Sequence, residues 1–321
     1  MVQQARAGFL TLILLLVCVP MSSAQVERDS SKAVDMPMDE IRALVNRAGK
    51  GRSLMPDSWP GGARIAVLLS FDADDETAEL RFGGSSISVL SDVQYGRVGL
   101  RRVVDLVDRH EIPASFFIPG VSLELDPEKA EIINRSGRHE IALHGWIHEN
   151  PASITRDQEK AAMERSIDTI RRISGHDPVG YRAPSWNFSE HTVDLIKEFG
   201  LLYDSSLMSD DSPFEILHSG NPTGIVELPV SWVPDDASYL VPRAAGAISP
   251  RDFLTILKDD FDVAYREGTM FLLTTHPDVI GRRSAIVILE ELIDYINSKP
   301  DIWFATHRQV AEYVARESGI D

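Results

Sequence analysis

Cysteine is almost missing from this chain: Cys18 is the only one in 321 residues. It sits in an apolar N-terminal stretch, so a chain that has lost that stretch has neither disulfides nor thiol chemistry and must rely on its core. Basic residues are also scarce, 32 Lys and Arg against 49 Asp and Glu, for a net charge of −17. This excludes the clustered positive charge that nucleic acids and anionic membrane surfaces reward, and no nucleic-acid partner is expected. No apolar run reaches the roughly 20 residues of a membrane-spanning helix. The longest, at 9–19, follows Arg6 and precedes Ser22-Ser-Ala24, which is the pattern of a secretory signal over 1–24 cleaved after Ala24. The mature chain is therefore expected to be exported, periplasmic or secreted, with no stable membrane span. Val17, just before Cys18, is bulky where a lipoprotein signal wants a small residue.

What is present is ordinary globular material, 43% hydrophobic and 25% charged, without repeats or low-complexity segments. Residues 25–62 read as a leader with a short amphipathic helix at 39–48, Ile41, Leu44 and Val45 facing inward, and a Pro/Gly-rich exit at 56–62. From 63 to 318 short apolar runs alternate with amphipathic helical stretches. Strands are expected at 65–71, 114–118, 140–143, 179–181, 202–204, 225–228, 270–274 and 302–305, and helices at 100–109, 157–173, 189–199, 250–267 and 285–297. Strand-helix alternation implies parallel pairing, and this many units favours an α/β fold of the distorted (β/α) barrel kind over an open doubly wound sheet. Polar residues support it: Asp72, Asp74, His144, Arg182 and His276 all follow expected strands, at the ends where such barrels place active sites.

The stretch Glu140-Ile-Ala-Leu-His144-Gly-Trp-Ile-His148 runs from a strand into two histidines four apart. In a helix or tight turn both imidazoles fall on one side and can share a cation. Asp72 and Asp74 alternate by two, so in extended chain they point the same way, and neighbouring carboxylates repel unless a cation lies between them. One Asp and two His make a three-ligand site for a divalent transition metal with a position open for water; the other Asp is free to act as a base.

These residues resemble the polysaccharide deacetylases with a NodB homology domain, carbohydrate esterase family four, in the family's order along 65–314. Ser70-Phe-Asp72-Ala-Asp74 resembles the first motif, which implies Asp72 as catalytic base and Asp74 as metal ligand. His144-Gly-Trp-Ile-His148 resembles the second, implying two histidine ligands. Tyr181-Arg182-Ala-Pro184-Ser-Trp186 resembles the third, whose Arg contacts the base, and Leu272-Leu-Thr-Thr-His276-Pro277 the last, whose His is the general acid. Ala73 separates aspartates that are adjacent in the family's commoner form. That departure, with Pro229-Val-Ser-Trp232-Val-Pro-Asp235-Asp236, brings the chain closer to a branch of peptidoglycan deacetylase-like proteins and ureide or cyclic-imide hydrolases.

The resemblance implies a hydrolase of non-peptide carbon-nitrogen bonds that uses a divalent transition metal, Zn2+ by expectation, to de-N-acetylate a cell-wall-type glycan. Trp186 and Trp232 offer flat faces for a sugar or ring, with core packing as the alternative. A mouth closed by 206–250, or by a neighbouring subunit of a homo-oligomer, would instead admit a small cyclic imide or ureide. A non-catalytic carbohydrate-binding protein on the same fold is the third reading. Asp75, Glu76 and Glu149 are either partners of the ligand imidazoles or solvent-facing acids, and His307 has no partner legible in the sequence.

Overall fold

The computed structural model describes residues 31–241 and 246–320; the expected signal, with Cys18 and Ala24, lies outside them. Residues from Ala43 onward form one compact unit. The expected leader helix forms at Met38–Val45 but buries none of its residues, so the inward face read for Ile41, Leu44 and Val45 is corrected.

Among the described residues, ten strands make a single sheet: β1 Ala48–Ser53, β2 Ile65–Asp72, β3 Ser115–Ile118, β4 Glu140–Leu143, β5 Gly180–Tyr181, β6 Tyr203–Asp204, β7 Phe214–His218, β8 Asn221–Glu227, β9 Met270–Thr275 and β10 Ile302–Phe304. All eight residues of β2 are buried, as a continuous apolar run covered on both faces should be. β2 pairs in parallel with β9 from Ala66 to Phe71. A strand has two edges, so β10, on Ile65 to Val67, and β3, on Ser70 to Asp72, share the other. From β3 the parallel order continues through β4, β5 and β6 to β8. Among the described residues only one isolated bridge, Asp235 to Thr274, joins the far side to β9. The sheet is a curled, incompletely closed barrel, as expected.

Two elements differ from the expectation. The 206–250 region holds more strand than the expected 225–228: β7 and β8 form an antiparallel hairpin in which His218 pairs with Asn221, with Ser219 and Gly220 both at positive φ. A two-residue turn of that backbone matches the twist of the strands it joins. β1, inside the stretch read as a leader, then pairs with β7, so residues 48–53 belong to the sheet.

Alternating side chains divide the core. Val67, Leu69 and Phe71 face outward onto Leu100, Val103, Leu106 and Val107 of the helix Gly96–Arg109. Ala66, Leu68, Phe117, Ala142, Tyr203 and Leu272 gather with Val310, Ala311 and Val314 of the helix His307–Ser318. The space beyond the strands' C-terminal ends is left for polar side chains.

Candidate active site

Asp72 is the last residue of β2, and His144, Arg182, Ser205 and His276 each directly follow a strand. Parallel strands all point their C-terminal ends the same way, so residues far apart in sequence meet. Asp72, Asp74, His144, His148, Trp186, Trp232 and His276 line one cavity of about 330 Å³, within the range of small-molecule clefts. Four non-glycine residues beside it, Asp75, His148, Ser185 and Trp186, have φ between 48° and 58°, a strained backbone that surrounding structure must hold.

The turn after β4 is folded by its own carboxylate. Glu149 accepts from the amides of Trp146 and Ile147 at 2.8 to 3.1 Å. Gly145 turns at φ 70°, where a Cβ would lie 2.8 Å from Glu149 and Pro184. The result is a tight turn with the two imidazole centroids 5.0 Å apart. Asp74 Oδ1 lies 3.4 Å from His144 Nε2, and Asp74 Oδ2 lies 3.2 Å from His148 Nε2.

His144 Nδ1 lies 2.7 Å from the Arg182 carbonyl. A carbonyl can only accept, so Nδ1 carries the proton, and burial holds this imidazole below its ordinary pKa and hence neutral. Its Nε2 therefore presents a lone pair to Asp74 Oδ1, a buried oxygen without a hydrogen-bond donor. Two facing lone pairs at that distance want a cation between them, so His144 and Asp74 fit a metal. Burial opposes the Asp74 charge, but His148 and His276 outweigh it and hold the carboxyl well below its usual range.

Arg182 is fully buried and spends its fork on the base candidate and its surroundings. Nη1 donates to Asp72 Oδ1 at 2.6 Å and Ser70 Oγ at 3.0 Å. Nε and Nη2 donate to the Ser205 carbonyl and Oγ, and Nη2 also to His307 Nε2 at 3.2 Å, while the guanidinium covers Phe117 at 3.9 Å. His307 is thus a buried acceptor beneath the site, kept neutral by burial and by the Arg182 charge. Its role was illegible because nothing local marks it.

After β9, the strand paired with β2, His276 Nδ1 bonds Asp236 Oδ1 at 2.7 Å, and the same carboxylate accepts the His276 amide. This leaves Nε2 on the cavity side, 4.0 Å from Asp74 Oδ2. Burial disfavours the imidazolium, but the Asp236 hydrogen bond and the charges of Asp236, Asp235 and Asp74 raise its pKa well above the ordinary value. Asp236, which in the sequence stood out only within the Pro229 to Asp236 stretch, is thus the orienting group. Asp235 and Asp278, also lining the cavity, are each raised to about 7 by burial.

The acids flanking the ligands prove to be neither imidazole partners nor solvent-facing. Asp75 forms a buried ion pair with Lys129 at 2.5 Å, Glu76 pairs with Arg97, and Glu149 closes the turn described above. Trp186 and Trp232 lie against each other, centroids 4.2 Å apart; Trp186 is buried and Trp232 half exposed at the rim. Arg81, which sequence gave no reason to single out, also enters the cavity.

The family model for polysaccharide deacetylases matches residues 80–203. The chain is similar to a peptidoglycan deacetylase of Helicobacter pylori, 32% identical over 246 residues, 68% of this chain and 84% of that one. It is also similar to a Mycobacterium smegmatis protein of known crystal structure classed with the polysaccharide deacetylases: 35% identity, TM-score 0.77, 84% of this chain and 96% of that one. An allantoinase structure at 24% identity, covering 84% of this chain and 95% of its own, shares the fold with TM-score 0.73.

Proposed function

Because the chain belongs to the polysaccharide deacetylase family, we propose that it removes N-acetyl groups from a cell-wall-type glycan, adding water across the amide to give acetate and a free amine. The observation that carries this reading is that Asp72, held by Arg182, and His276, held by Asp236, both reach the Asp74, His144 and His148 cluster, Asp72 Oδ2 3.8 Å from His144 Nε2 and His276 Nε2 4.0 Å from Asp74 Oδ2. Asp74, His144 and His148 hold the metal, for which we favour Zn2+ on its ease with nitrogen and carboxylate ligands. When bound there, the ion supplies Lewis acidity to the amide carbonyl and makes water more acidic.

Asp72 is the base that takes a proton from the attacking water, and Arg182 fixes its orientation. His276, protonated near neutral pH by its carboxylate neighbours, gives its Nε2 proton to the departing nitrogen as the C–N bond breaks. Trp232, half exposed at the rim, and Trp186 behind it wall the acetamido sugar. The N-terminal signal reading makes the enzyme exported, and the described residues contain no helix long and apolar enough to cross a membrane.

A small cyclic imide or ureide is the second substrate reading, favoured by the likeness of fold to an allantoinase. The test is elemental analysis of the purified mature chain together with acetate release from N-acetylglucosamine oligomers before and after chelation. About one transition metal per chain with chelator-sensitive acetate release supports deacetylation. Bound metal without acetate release, but with turnover of cyclic imides or ureides, moves the assignment to them. Absence of metal, or activity indifferent to chelation, overturns the mechanism.

A further inference from the structure

A histidine that binds a metal through one ring nitrogen almost always donates the hydrogen on the other to an acceptor. His144 obeys this rule, its Nδ1 facing the Arg182 carbonyl. His148 breaks it. Its Nδ1 lies 2.7 Å from Arg81 Nη1, and a guanidinium has donors only. In this contact Nδ1 must therefore accept, so in the neutral ring the hydrogen sits on Nε2. Nε2 in turn lies 3.2 Å from Asp74 Oδ2, a carboxylate oxygen ready to receive that hydrogen. The ring is thus fixed as donor toward Asp74, and the nitrogen that faces the other ligands has no lone pair to give.

Arg81 is itself firmly placed. The second Nη1 hydrogen goes to Ser185 Oγ at 2.8 Å, the guanidinium lies 4.7 Å over the Phe82 ring, and both Arg81 and Ser185 line the cavity. Its charge also acts on Asp74, the carboxylate that completes the cluster. Among the described residues Arg81 is the only Arg or Lys lining this cavity.

We propose that Arg81 is a resident cation that competes with the metal, its hydrogen bond to His148 Nδ1 and metal ligation through His148 Nε2 excluding each other. Ligation by the neutral ring requires the hydrogen to be on Nδ1, and with Nδ1–H facing it Arg81 Nη1 has no acceptor there and must leave. Two effects then oppose loading in the same direction: the tautomer that must be exchanged, and the positive charge beside Asp74 that the metal's own charge meets. This inference rests on the metal reading above, applied to a residue outside the ligand set.

The experiment compares Co2+ and Zn2+ affinity of the full mature chain and its Arg81→Gln variant, by the visible absorption of bound Co2+ and by Zn2+ competition with a chromogenic chelator. A Gln side-chain oxygen can accept from Nδ1–H and carries no charge. Partners of ligand histidines typically change metal affinity about 10–100-fold when altered; here Arg81→Gln is expected to tighten binding by that order. Arg81→Met, which removes the charge without supplying an acceptor, is expected to tighten it less, and serves if the Gln variant does not fold. Binding that weakens or is unchanged in the variants while the parent chain binds metal overturns the competition and leaves the deacetylase reading in place. Binding by neither parent nor variants overturns the metal reading and this inference together.

Discussion

Arg182→Met tests whether the buried guanidinium organises the site. Five acceptors lose their donor: Asp72 Oδ1, Ser70 Oγ, the Ser205 carbonyl, Ser205 Oγ and His307 Nε2. They are not equal. Ser70 Oγ still donates to the Leu273 carbonyl and Ser205 Oγ to that of Leu228, so both hydroxyls stay satisfied. Asp72 keeps a buried charge without its partner, which costs about 3–5 kcal/mol. The Ser205 carbonyl and His307 Nε2 each add about 1–3 kcal/mol as unpaired buried acceptors. The sum, about 5–11 kcal/mol, is comparable to the whole stability of many domains, about 5–15 kcal/mol. Urea unfolding followed by circular dichroism, with chelator present so that metal binding does not contribute, measures it. Asp72→Asn in the same chain removes the stranded charge, so the double variant should be more stable than Arg182→Met alone. A double variant no more stable, or an Arg182→Met variant within about 1 kcal/mol of the parent, refutes the reasoning, because exposed ion pairs are worth no more than that.

His144→Ala should fold but lose metal and acetate release together, checked by elemental analysis and circular dichroism; retained stoichiometric metal would remove His144 from the ligand set. Asp72→Asn should keep the metal and lose turnover by about 100-fold or more, as expected for a general base; an active variant removes that role. Asp236→Asn takes away the carboxylate that, against burial, raises the His276 pKa. The protonated acid form is then lost at lower pH, so the basic limb of the kcat profile should move downward, whereas an unmoved limb would separate Asp236 from the titration. Gly96→Ala would put a Cβ 1.5 Å from Asp75 Oδ1, in the buried pair with Lys129. An overpacking loss of about 1–3 kcal/mol in urea unfolding is expected, and an unchanged midpoint would mean that the helix Gly96–Arg109 shifts freely.

The parallel strands were legible where they were long or continuously apolar. β2 and β9 were expected almost to the residue, because a strand buried on both faces leaves a run that few other structures require. Of the hairpin β7–β8 only the end of β8, within the expected 225–228, was legible, although the Ser219-Gly220 turn was in plain view; the paired strands are irregular in register and their alternation is correspondingly weak. β1, Ala-Gly-Lys-Gly-Arg-Ser, has no apolar pattern at all. It pairs through backbone hydrogen bonds, to which side-chain periodicity is blind.

The same distinction separates the two halves of the site. Residues that face the cavity stand immediately after strands, so finding the strands brought Asp72, Asp74, His144, Arg182 and His276 together on the barrel's mouth. Their supports are chosen by contact across the fold: Arg81 reaches His148 over 67 positions, Asp236 reaches His276 over 40, and His307 reaches Arg182 over 125. No local pattern demands a histidine at position 307 or an arginine at 81. β5 and β6 are only two residues long each, yet Arg182 and Ser205 follow directly after them, so the rigidity of the Arg182 cluster comes from its hydrogen bonds more than from strand length. A sequence states which groups could react; which of them is held, neutralised or opposed is settled by partners that only the curled sheet brings within reach, and the Arg81 contact with His148 is the case where that partner changes what the reactive set can bind.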